Sequence, residues 1–294
     1  MPDAARDLLR GAIDLHIHAA PDIVPRLLDD LALARAARDA GMAAIVLKSH
    51  HMLTADRAQL AQKGFPELKI FGGLALNLPA CGGLNPEAVK VAIRMGAKTI
   101  WLPTLSAANH IQKTKNRVTG NLGVMSQGFK PQPVPVVGDD GAVIPDLVEI
   151  LQLVAEADII LATGHLSVSE IKAVVAAAVA AGVRKILVNH PELWLIGMSV
   201  EDQRALAAQG ALMEVCVRSV TAPGHGGSSP KLLAEQIRAV GAAHVVMATD
   251  FGQVDSLPAP DGLAWYISQM LECGIPARDI ERMTKENPAR LLGL

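Results

Sequence analysis

The sequence predicts an α/β fold, namely a (β/α)8 TIM barrel with a long insertion after strand 4. Three observations indicate it: eight short apolar runs, amphipathic stretches between them that mostly end at glycine, and a regular spacing from run to run. A hydrophobic fraction of 50% with only 3% aromatic residues suits parallel strands covered by alanine-rich helices. A length of 294 residues fits one such barrel, so we expect a single domain over residues 1–294.

The predicted strands are continuous apolar runs, which is the pattern of strands buried on both faces. They cover residues 13–17, 43–47, 70–76, 99–102, 159–162, 186–188, 211–217 and 245–248. The strand ends follow one another at intervals of 30, 29, 27, 61, 25, 26 and 34 residues. Every interval except the fourth is close to the size of one strand, loop and helix, and eight repeats indicate a closed barrel rather than an open sheet.

The predicted helices lie between these strands and each precedes a glycine, which is a helix C-cap signal. They cover residues 28–40, 86–95, 168–181, 200–209 and 230–240. Ser167 and Glu170 have the spacing of a capping box, and Pro86 and Pro230 stand where first-turn prolines belong. These signals place the starts of three helices.

The 61-residue interval after strand 4 holds the insertion, at about residues 105–145. Its second part, residues 136–144, predicts a β-hairpin that turns at Asp140-Gly141. An insertion at the C-terminal end of a barrel serves as a lid or substrate wall, or else as a dimer contact. Both interpretations stay open here.

Charge and composition limit the classes of molecule that we expect this protein to bind. With 27 basic and 29 acidic residues the net charge is -2, so no overall field attracts nucleic acid or a membrane surface. We expect a small-molecule substrate. A homo-oligomer is compatible with the sequence, but no sequence feature fixes the number of subunits. Three widely spaced cysteines, the absence of a signal-peptide pattern and the absence of a long apolar run lead us to expect a cytoplasmic enzyme with reduced thiols.

Four predicted strand ends carry metal-binding groups. In an extended strand successive side chains alternate, so His16 and His18 should share one face while Leu15 and Ile17 share the other. The ends of strands 5, 6 and 8 carry His165, His190 and Asp250. Active sites of barrels gather at the C-terminal strand ends, and imidazole and carboxylate are ligands for zinc and similar ions. The sequence therefore predicts a divalent-metal site.

This order of motifs resembles the amidohydrolase superfamily of metal-dependent hydrolases, and a closing Asn287-Pro288 segment adds to the resemblance. The resemblance implies one or two divalent ions, zinc first and Mn, Fe or Co as alternatives. It also implies that metal-activated water attacks the substrate while the strand-8 residue, Asp250, shuttles the proton. The implied ligands are His16, His18, His165, His190 and Asp250.

Lys48 marks a departure from the superfamily pattern. Binuclear members often carry a bridging carboxylated lysine or a glutamate on strand 4, but strand 4 here has neither, whereas strand 2 ends at Lys48. A buried lysine beside cations favours the neutral amine, which reacts with carbon dioxide, so Lys48 is a candidate carbamate bridge between two metals. Alternatively Lys48 stays charged and pairs with Asp250 or a substrate carboxylate, and only one metal binds.

Three further residues are candidate substrate contacts. His50 shares the face of Lys48 and is either a further ligand or a substrate contact, and His51 follows it. Arg218, just past strand 7, is suited to grip a carboxylate, although a surface arginine is an equal alternative.

These residues predict a metal-dependent hydrolase that cleaves an amide or cyclic-amide carbon-nitrogen bond in a small anionic molecule. A metal-dependent decarboxylase of the same superfamily is the main alternative, and lactone or phosphoester hydrolysis is chemically feasible. A barrel that only binds is a third hypothesis, but keeping so many buried polar ligands without a metal would be costly.

Overall fold

A computed structural model gives the fold and describes residues 3–115, 132–221 and 228–294. Eight parallel strands form one sheet in sequential order, which confirms the (β/α)8 TIM barrel and all eight predicted strands. They are β1 Ile13–His18, β2 Ala44–Lys48, β3 Lys69–Ala75, β4 Thr99–Trp101, β5 Ile160–Ala162, β6 Ile186–Asn189, β7 Leu212–Cys216 and β8 Val245–Ala248.

The barrel closes just beyond the end of β8. The Asp250 N–H group donates to the His16 carbonyl at 2.9 Å, and the His18 N–H group donates to the Phe251 carbonyl at 2.8 Å. The buried Asp14 carboxylate strengthens this seam, because it accepts from the Thr249 hydroxyl at 2.6 Å. The loop that follows β8 is therefore held against β1.

Helices cover the outside of the sheet. They are α1 Asp3–Leu9, α2 Asp30–Asp39, α3 Ala55–Gln62, α4 Leu78–Cys81, α5 Pro86–Arg94, α6 Ala108–Thr114, α7 Pro145–Ala157, α8 Val168–Ala180, α9 Val200–Ala207, α10 Arg218–Thr221, α11 Pro230–Val240, α12 Ala259–Glu272, α13 Ala277–Glu281 and α14 Asn287–Leu292, with a 3-10 turn at Ala242–His244 and a π turn at Arg282–Glu286. No helix in the described ranges combines the length and apolarity needed to cross a membrane.

The helix starts follow the capping signals. Ser167 and Glu170 form the predicted capping box at the start of α8, and α5 and α11 begin at their predicted prolines. Helix α2 begins two residues later than predicted, at Asp30. The reason is that the Asp29 side chain accepts from the Ala32 N–H group at 2.7 Å and so acts as the N-cap.

Strand β1 contains an irregularity that simple alternation does not predict. Asp14 pairs with Ile45 and Ile17 with Leu47, so three steps on β1 match two on β2, which is a β-bulge. Leu15 packs inside the barrel with Ile13, whereas Ile17 packs in the outer core. The expectation that Leu15 and Ile17 share a face was therefore wrong.

The insertion after β4 is described only in part, because its residues 116–131 lie outside the described ranges. Its predicted hairpin is confirmed as a short turn. Val137 and Val143 form an antiparallel bridge, and the Gly138 N–H group donates to the Ala142 carbonyl at 2.8 Å. The insertion also contains α6, which is hydrogen-bonded to the loops that follow β5 and β6.

Candidate metal centre

Two imidazoles and one carboxylate converge at the C-terminal end of the barrel. The Oδ1 atom of Asp250 lies 3.1 Å from Nε2 of His16 and 3.1 Å from Nε2 of His18. The other carboxylate oxygen, Oδ2, lies 3.9 Å from Nε2 of His190. The three histidines are buried, and only the Asp250 side chain, at 20% exposure, reaches solvent.

The backbone is strained at two of these positions. His190 and Asp250 have φ angles of 51° and 56°, in the left-handed region that is uncommon for residues other than glycine, although Asn, Asp and His enter it more readily than most. Such strain costs on the order of 1 to 3 kcal/mol and is concentrated at functional sites. His190 directly follows β6, and Asp250 lies two residues after the end of β8, so each strained turn stands at the end of the barrel where the imidazoles gather.

Two glycines allow the strand ends to approach closely. Gly164 has φ of +62°, and a Cβ atom there would lie 2.4 Å from the Leu102 carbonyl oxygen. A Cβ atom on Gly252 would lie 1.8 Å from the His18 carbonyl oxygen. Gly164 immediately precedes His165, and Gly252 follows Asp250 by two residues, so both glycines help to set the positions of candidate ligands.

Glu214 orients the His16 imidazole by contacting its Nδ1 atom, whereas Asp250 lies at Nε2. Its Oε2 atom lies 2.9 Å from Nδ1 of His16 and accepts from the Asn189 amide at 2.6 Å. Burial would raise the pKa of the Glu214 carboxyl, but the adjacent His16 imidazole lowers that pKa below its ordinary value. When His16 is neutral and donates from Nδ1 to Glu214, its Nε2 atom carries a free lone pair on the side of the ring that faces Asp250. Sequence analysis missed Glu214, although it is the one charged residue in β7, whose other residues are apolar and buried.

Lys48 lies inside the same group of residues. Its Nζ atom is 2.9 Å from Nε2 of His16 and 5.4 Å from the centre of a Trp101 ring. The residue is 1% exposed, and burial lowers the pKa of its amine. The polar partner of the Lys48 amine is thus the His16 imidazole, whereas the Asp250 carboxylate contacts His16 and His18.

His165 stands slightly apart from this group. Its ring centre lies 5.7 Å from that of His190 and 5.9 Å from that of His50. Its Nδ1 atom lies 2.8 Å from Nδ1 of His110, a buried residue of α6. Sequence analysis did not identify His110, because it lies in the insertion rather than at a strand end.

The candidate substrate contacts occupy the rim. The Nδ1 atom of His50 is 2.8 Å from the Thr104 hydroxyl, and its ring centre is 4.9 Å from that of His18. The Nδ1 atom of His51 is 3.1 Å from Asp22, which also binds Arg26 at 2.7 Å. The buried Nε2 atom of His51 has no hydrogen-bond partner among the described residues.

Arg218 is buried, so it is not the surface arginine that the sequence left open as an alternative. Its guanidinium does bind a carboxylate, but this belongs to Asp255, at 2.9 Å and 3.2 Å. Asp22, Arg26 and Asp255 lie in loops, and sequence analysis did not anticipate these pairings.

The donor set fits a divalent cation. The ligand atoms of His16, His18 and Asp250 all lie within 4.8 Å of one another, and a second group of His16, His190, Glu214 and Cys216 has the same spread. Burial lowers the pKa of His18 to about 3 and that of His190 to about 4, so these imidazoles are neutral, as metal ligands must be.

The field at His16 also favours a positive charge. Burial and the Lys48 ammonium lower the pKa of His16, but Asp250 and Glu214 outweigh them and raise it to about 9. The two carboxylates beside this buried imidazole thus attract a positive charge. A metal ion could supply that charge in place of the proton on His16.

Comparisons with solved structures show which known proteins share this fold. An amidohydrolase from Pseudomonas aeruginosa matches with 14% identity, a TM-score of 0.60 and 98% coverage of both chains. The probable dipeptidase PvdM from the same species matches with 12% identity, a TM-score of 0.64 and coverage of 99% of this chain and 97% of that one. A dihydroxybenzoic acid decarboxylase from Polaromonas, solved with bound manganese, matches with 13% identity, a TM-score of 0.58 and 97% coverage of both.

These similarities confirm the fold expected from the resemblance to the amidohydrolase superfamily. No curated protein matches the sequence. A family model described as a family of unknown function, DUF6282, matches residues 11–214, which include β1 through β6 and the beginning of β7. The chain therefore belongs to the family of unknown function DUF6282, and its barrel has the fold of the amidohydrolase superfamily.

Proposed function

We propose that this protein is a metal-dependent hydrolase that cleaves an amide or cyclic-amide carbon-nitrogen bond in a small anionic molecule. The observation that carries the proposal is the position of Asp250 Oδ1, 3.1 Å from Nε2 of both His16 and His18. One carboxylate oxygen and two imidazole nitrogens that lie this close together are suited to hold a divalent ion.

His16, His18 and Asp250 would hold the cation, with His165 and His190 as further ligands or as contacts to the reacting groups. A divalent ion held there supplies Lewis acidity, which makes water a stronger acid and a carbonyl a better electrophile. We propose zinc first, since imidazole and carboxylate ligands suit it, with Mn, Fe or Co as alternatives. Manganese gains support from the Polaromonas decarboxylase that contains it.

Asp250 is suited to move the proton. Its pKa is held well below the ordinary carboxyl value, because the His16 and His18 contacts outweigh the effect of burial. Asp250 is therefore ionised and partly exposed, and the role proposed for it is to accept a proton from the attacking water and pass it to the leaving nitrogen. This role rests on the position of the carboxylate at the candidate metal centre and not on its pKa, since a lowered pKa makes the group a weaker base. His190 and His50 are suited to orient the carbonyl under attack.

The substrate would be contacted at the rim of the barrel. His50 lies beside His18, and His51 has a buried Nε2 atom that can bond to a substrate group. Since Asp255 already occupies the Arg218 guanidinium, the proposal does not depend on Arg218 to bind an anion.

We propose that Lys48 carries the bridge to a second metal. Its neutral amine would add to carbon dioxide, forming a nitrogen-carbon bond and releasing one proton, and the resulting carbamate would be an anionic ligand. Burial lowers the pKa of the amine, and this supports the proposal because only the unprotonated nitrogen is a nucleophile.

The first test measures the metal content of protein purified without chelator. Wild type should retain at least one equivalent of a transition metal, while His16→Ala and Asp250→Ala should lose both metal and turnover, since each removes a central ligand. His244→Ala is the matched control, because His244 lies in the 3-10 turn before β8, at the opposite end of the strand. Full metal retention in His16→Ala or Asp250→Ala would refute the ligand assignment.

The reaction class needs a substrate screen, which should include cyclic amides, N-acyl compounds, lactones, phosphoesters and aromatic acids. Release of a new carboxylate and amine would support the proposed amide hydrolysis. Release of carbon dioxide from an aromatic acid would instead establish the decarboxylase alternative, which one of the structural relatives motivates.

A further inference from the structure

We propose that His110 is a positioning residue that holds the proton of His165 on Nδ1 and so leaves Nε2 of His165 as a metal ligand. The inference rests on the proposed metal site. The two Nδ1 atoms lie 2.8 Å apart, and the rings meet edge to edge, with centres 5.0 Å apart and 15° between their planes. Both residues are buried, with 5% exposure for His110 and 8% for His165.

Counting protons at this contact leaves two arrangements. Two buried imidazolium ions at this distance would repel each other. Burial also disfavours a single imidazolium, for which no carboxylate lies within hydrogen-bonding distance among the described residues, so both rings are neutral. Two neutral rings that meet through Nδ1 share one hydrogen, because two hydrogens would collide and two lone pairs would repel. The tautomers of His110 and His165 are therefore coupled: when one ring carries hydrogen on Nδ1, the other must carry it on Nε2.

Only one of these arrangements allows His165 to bind a metal. If His165 donates from Nδ1, its Nε2 atom has a free lone pair, and His110 carries its hydrogen on Nε2. If His110 donates instead, Nε2 of His165 is protonated and cannot be a ligand. Metal-binding histidines usually donate their other ring N–H to an acceptor, and Glu214 has this role for His16. His110 would have the same role for His165, with a neutral acceptor in place of a carboxylate.

The structure holds His110 firmly in this position. The neighbouring Asn109 amide donates to the His165 carbonyl at 3.1 Å and to the Leu195 carbonyl at 3.0 Å. The Lys113 ammonium donates to the Leu195 carbonyl at 2.8 Å. These bonds attach helix α6 to the loops that follow β5 and β6, so the insertion after β4 supplies a part of the metal site that no strand provides.

The test compares three substitutions of His110 in metal-free protein, with zinc alone as the probe. In His110→Asn the amide oxygen stands close to the position of Nδ1 and can accept, whereas His110→Leu fills the volume without an acceptor and His110→Ala does neither. Zinc affinity, measured by competition with a chromophoric chelator, should fall about 10- to 100-fold in the Leu and Ala variants. The Asn variant should stay within a few-fold of wild type, as should His244→Ala.

The second readout is nitrogen-15 NMR of the histidine rings, which reports the tautomer directly and needs no metal. In wild type His165 should carry its hydrogen on Nδ1, and the Leu variant should shift His165 toward the other tautomer. Unchanged zinc affinity in the Leu variant, or hydrogen on Nε2 of His165 in wild type, would overturn the inference. If the Leu and Ala variants do not fold, the wild-type spectrum and the Asn variant decide. Failure of wild type to bind any of zinc, manganese, iron or cobalt would instead refute the proposed function.

Discussion

Lys48 is the residue on which the number of metals depends. It is fully buried at the end of β2, its Nζ atom lies 2.9 Å from a candidate ligand nitrogen of His16, and burial lowers the pKa of its amine. A buried ammonium at this point would compete with a metal ion for the same imidazole. A carbamate on the same nitrogen would attract a second metal, so the chemical state of one side chain separates the mononuclear from the binuclear site.

We predict that wild type loaded with metal in bicarbonate binds two equivalents and that Lys48→Met binds one, because methionine cannot form a carbamate. Elemental analysis gives the stoichiometry, and carbon-13 NMR with labelled bicarbonate should show a carbamate resonance only in wild type. Lys98→Met serves as the matched control, since Lys98 is partly exposed and precedes β4 at the other end of the barrel. One equivalent of metal and no carbamate resonance in wild type would assign a single-metal site.

At this scale the sequence predicted the residues whose position depends only on the strand they follow. His16, His18, His190 and Asp250 meet because the ends of parallel strands meet in a barrel. It did not predict Glu214, which lies 198 residues from His16 along the chain, because that pairing depends on how two inward side chains pack. His110 was missed for a similar reason, since nothing local marks a helix residue as a partner of a strand-end histidine.

At the scale of the element, close approach between strand ends limits which residues the connecting turns accept. We predict that Gly164→Ala destabilises the protein by about 3 kcal/mol, because the added methyl collides with carbonyl oxygens in a backbone that already has positive φ. It should also weaken zinc binding, since Gly164 precedes His165. Urea denaturation of metal-free protein and zinc competition measure the two effects.

Gly182→Ala is the matched control for this substitution. Gly182 also has positive φ, at +84°, but nothing lies within 4 Å of its added Cβ. Its cost should therefore be about 1 kcal/mol, from the backbone conformation alone, with unchanged zinc affinity. Equal destabilisation by the two substitutions would contradict the steric argument.

The elements themselves could be predicted where the signal is local. The capping box of α8 and the prolines of α5 and α11 marked helix starts correctly, because a cap satisfies the first N–H groups of the same helix. The bulge in β1 was not predictable from alternation. It inserts a residue between Asp14 and Ile17, and thereby keeps Leu15 inside the barrel while Ile17 packs outside.

For the whole molecule, the candidate metal centre lies beside the seam where the barrel closes. His16 and His18 belong to β1, Asp250 follows β8, and backbone hydrogen bonds join the two strands at these same residues. A cation held by both sides would add a cross-link between the first and last strands. The unfolded chain lacks this arrangement, because the two ligand groups lie 232 residues apart in sequence.

Metal binding should therefore stabilise the entire fold. A ligand that binds only the native state adds about 2.7 kcal/mol at 100 times its dissociation constant, which for a chain of this size raises the melting temperature by a few degrees. We predict that zinc raises, and a chelator lowers, the melting temperature of wild type and His244→Ala alike. His16→Ala should melt at one temperature in both conditions, because without this imidazole the cation no longer joins β1 to β8. A zinc-dependent shift that persists in His16→Ala would place the stabilising ion elsewhere in the molecule.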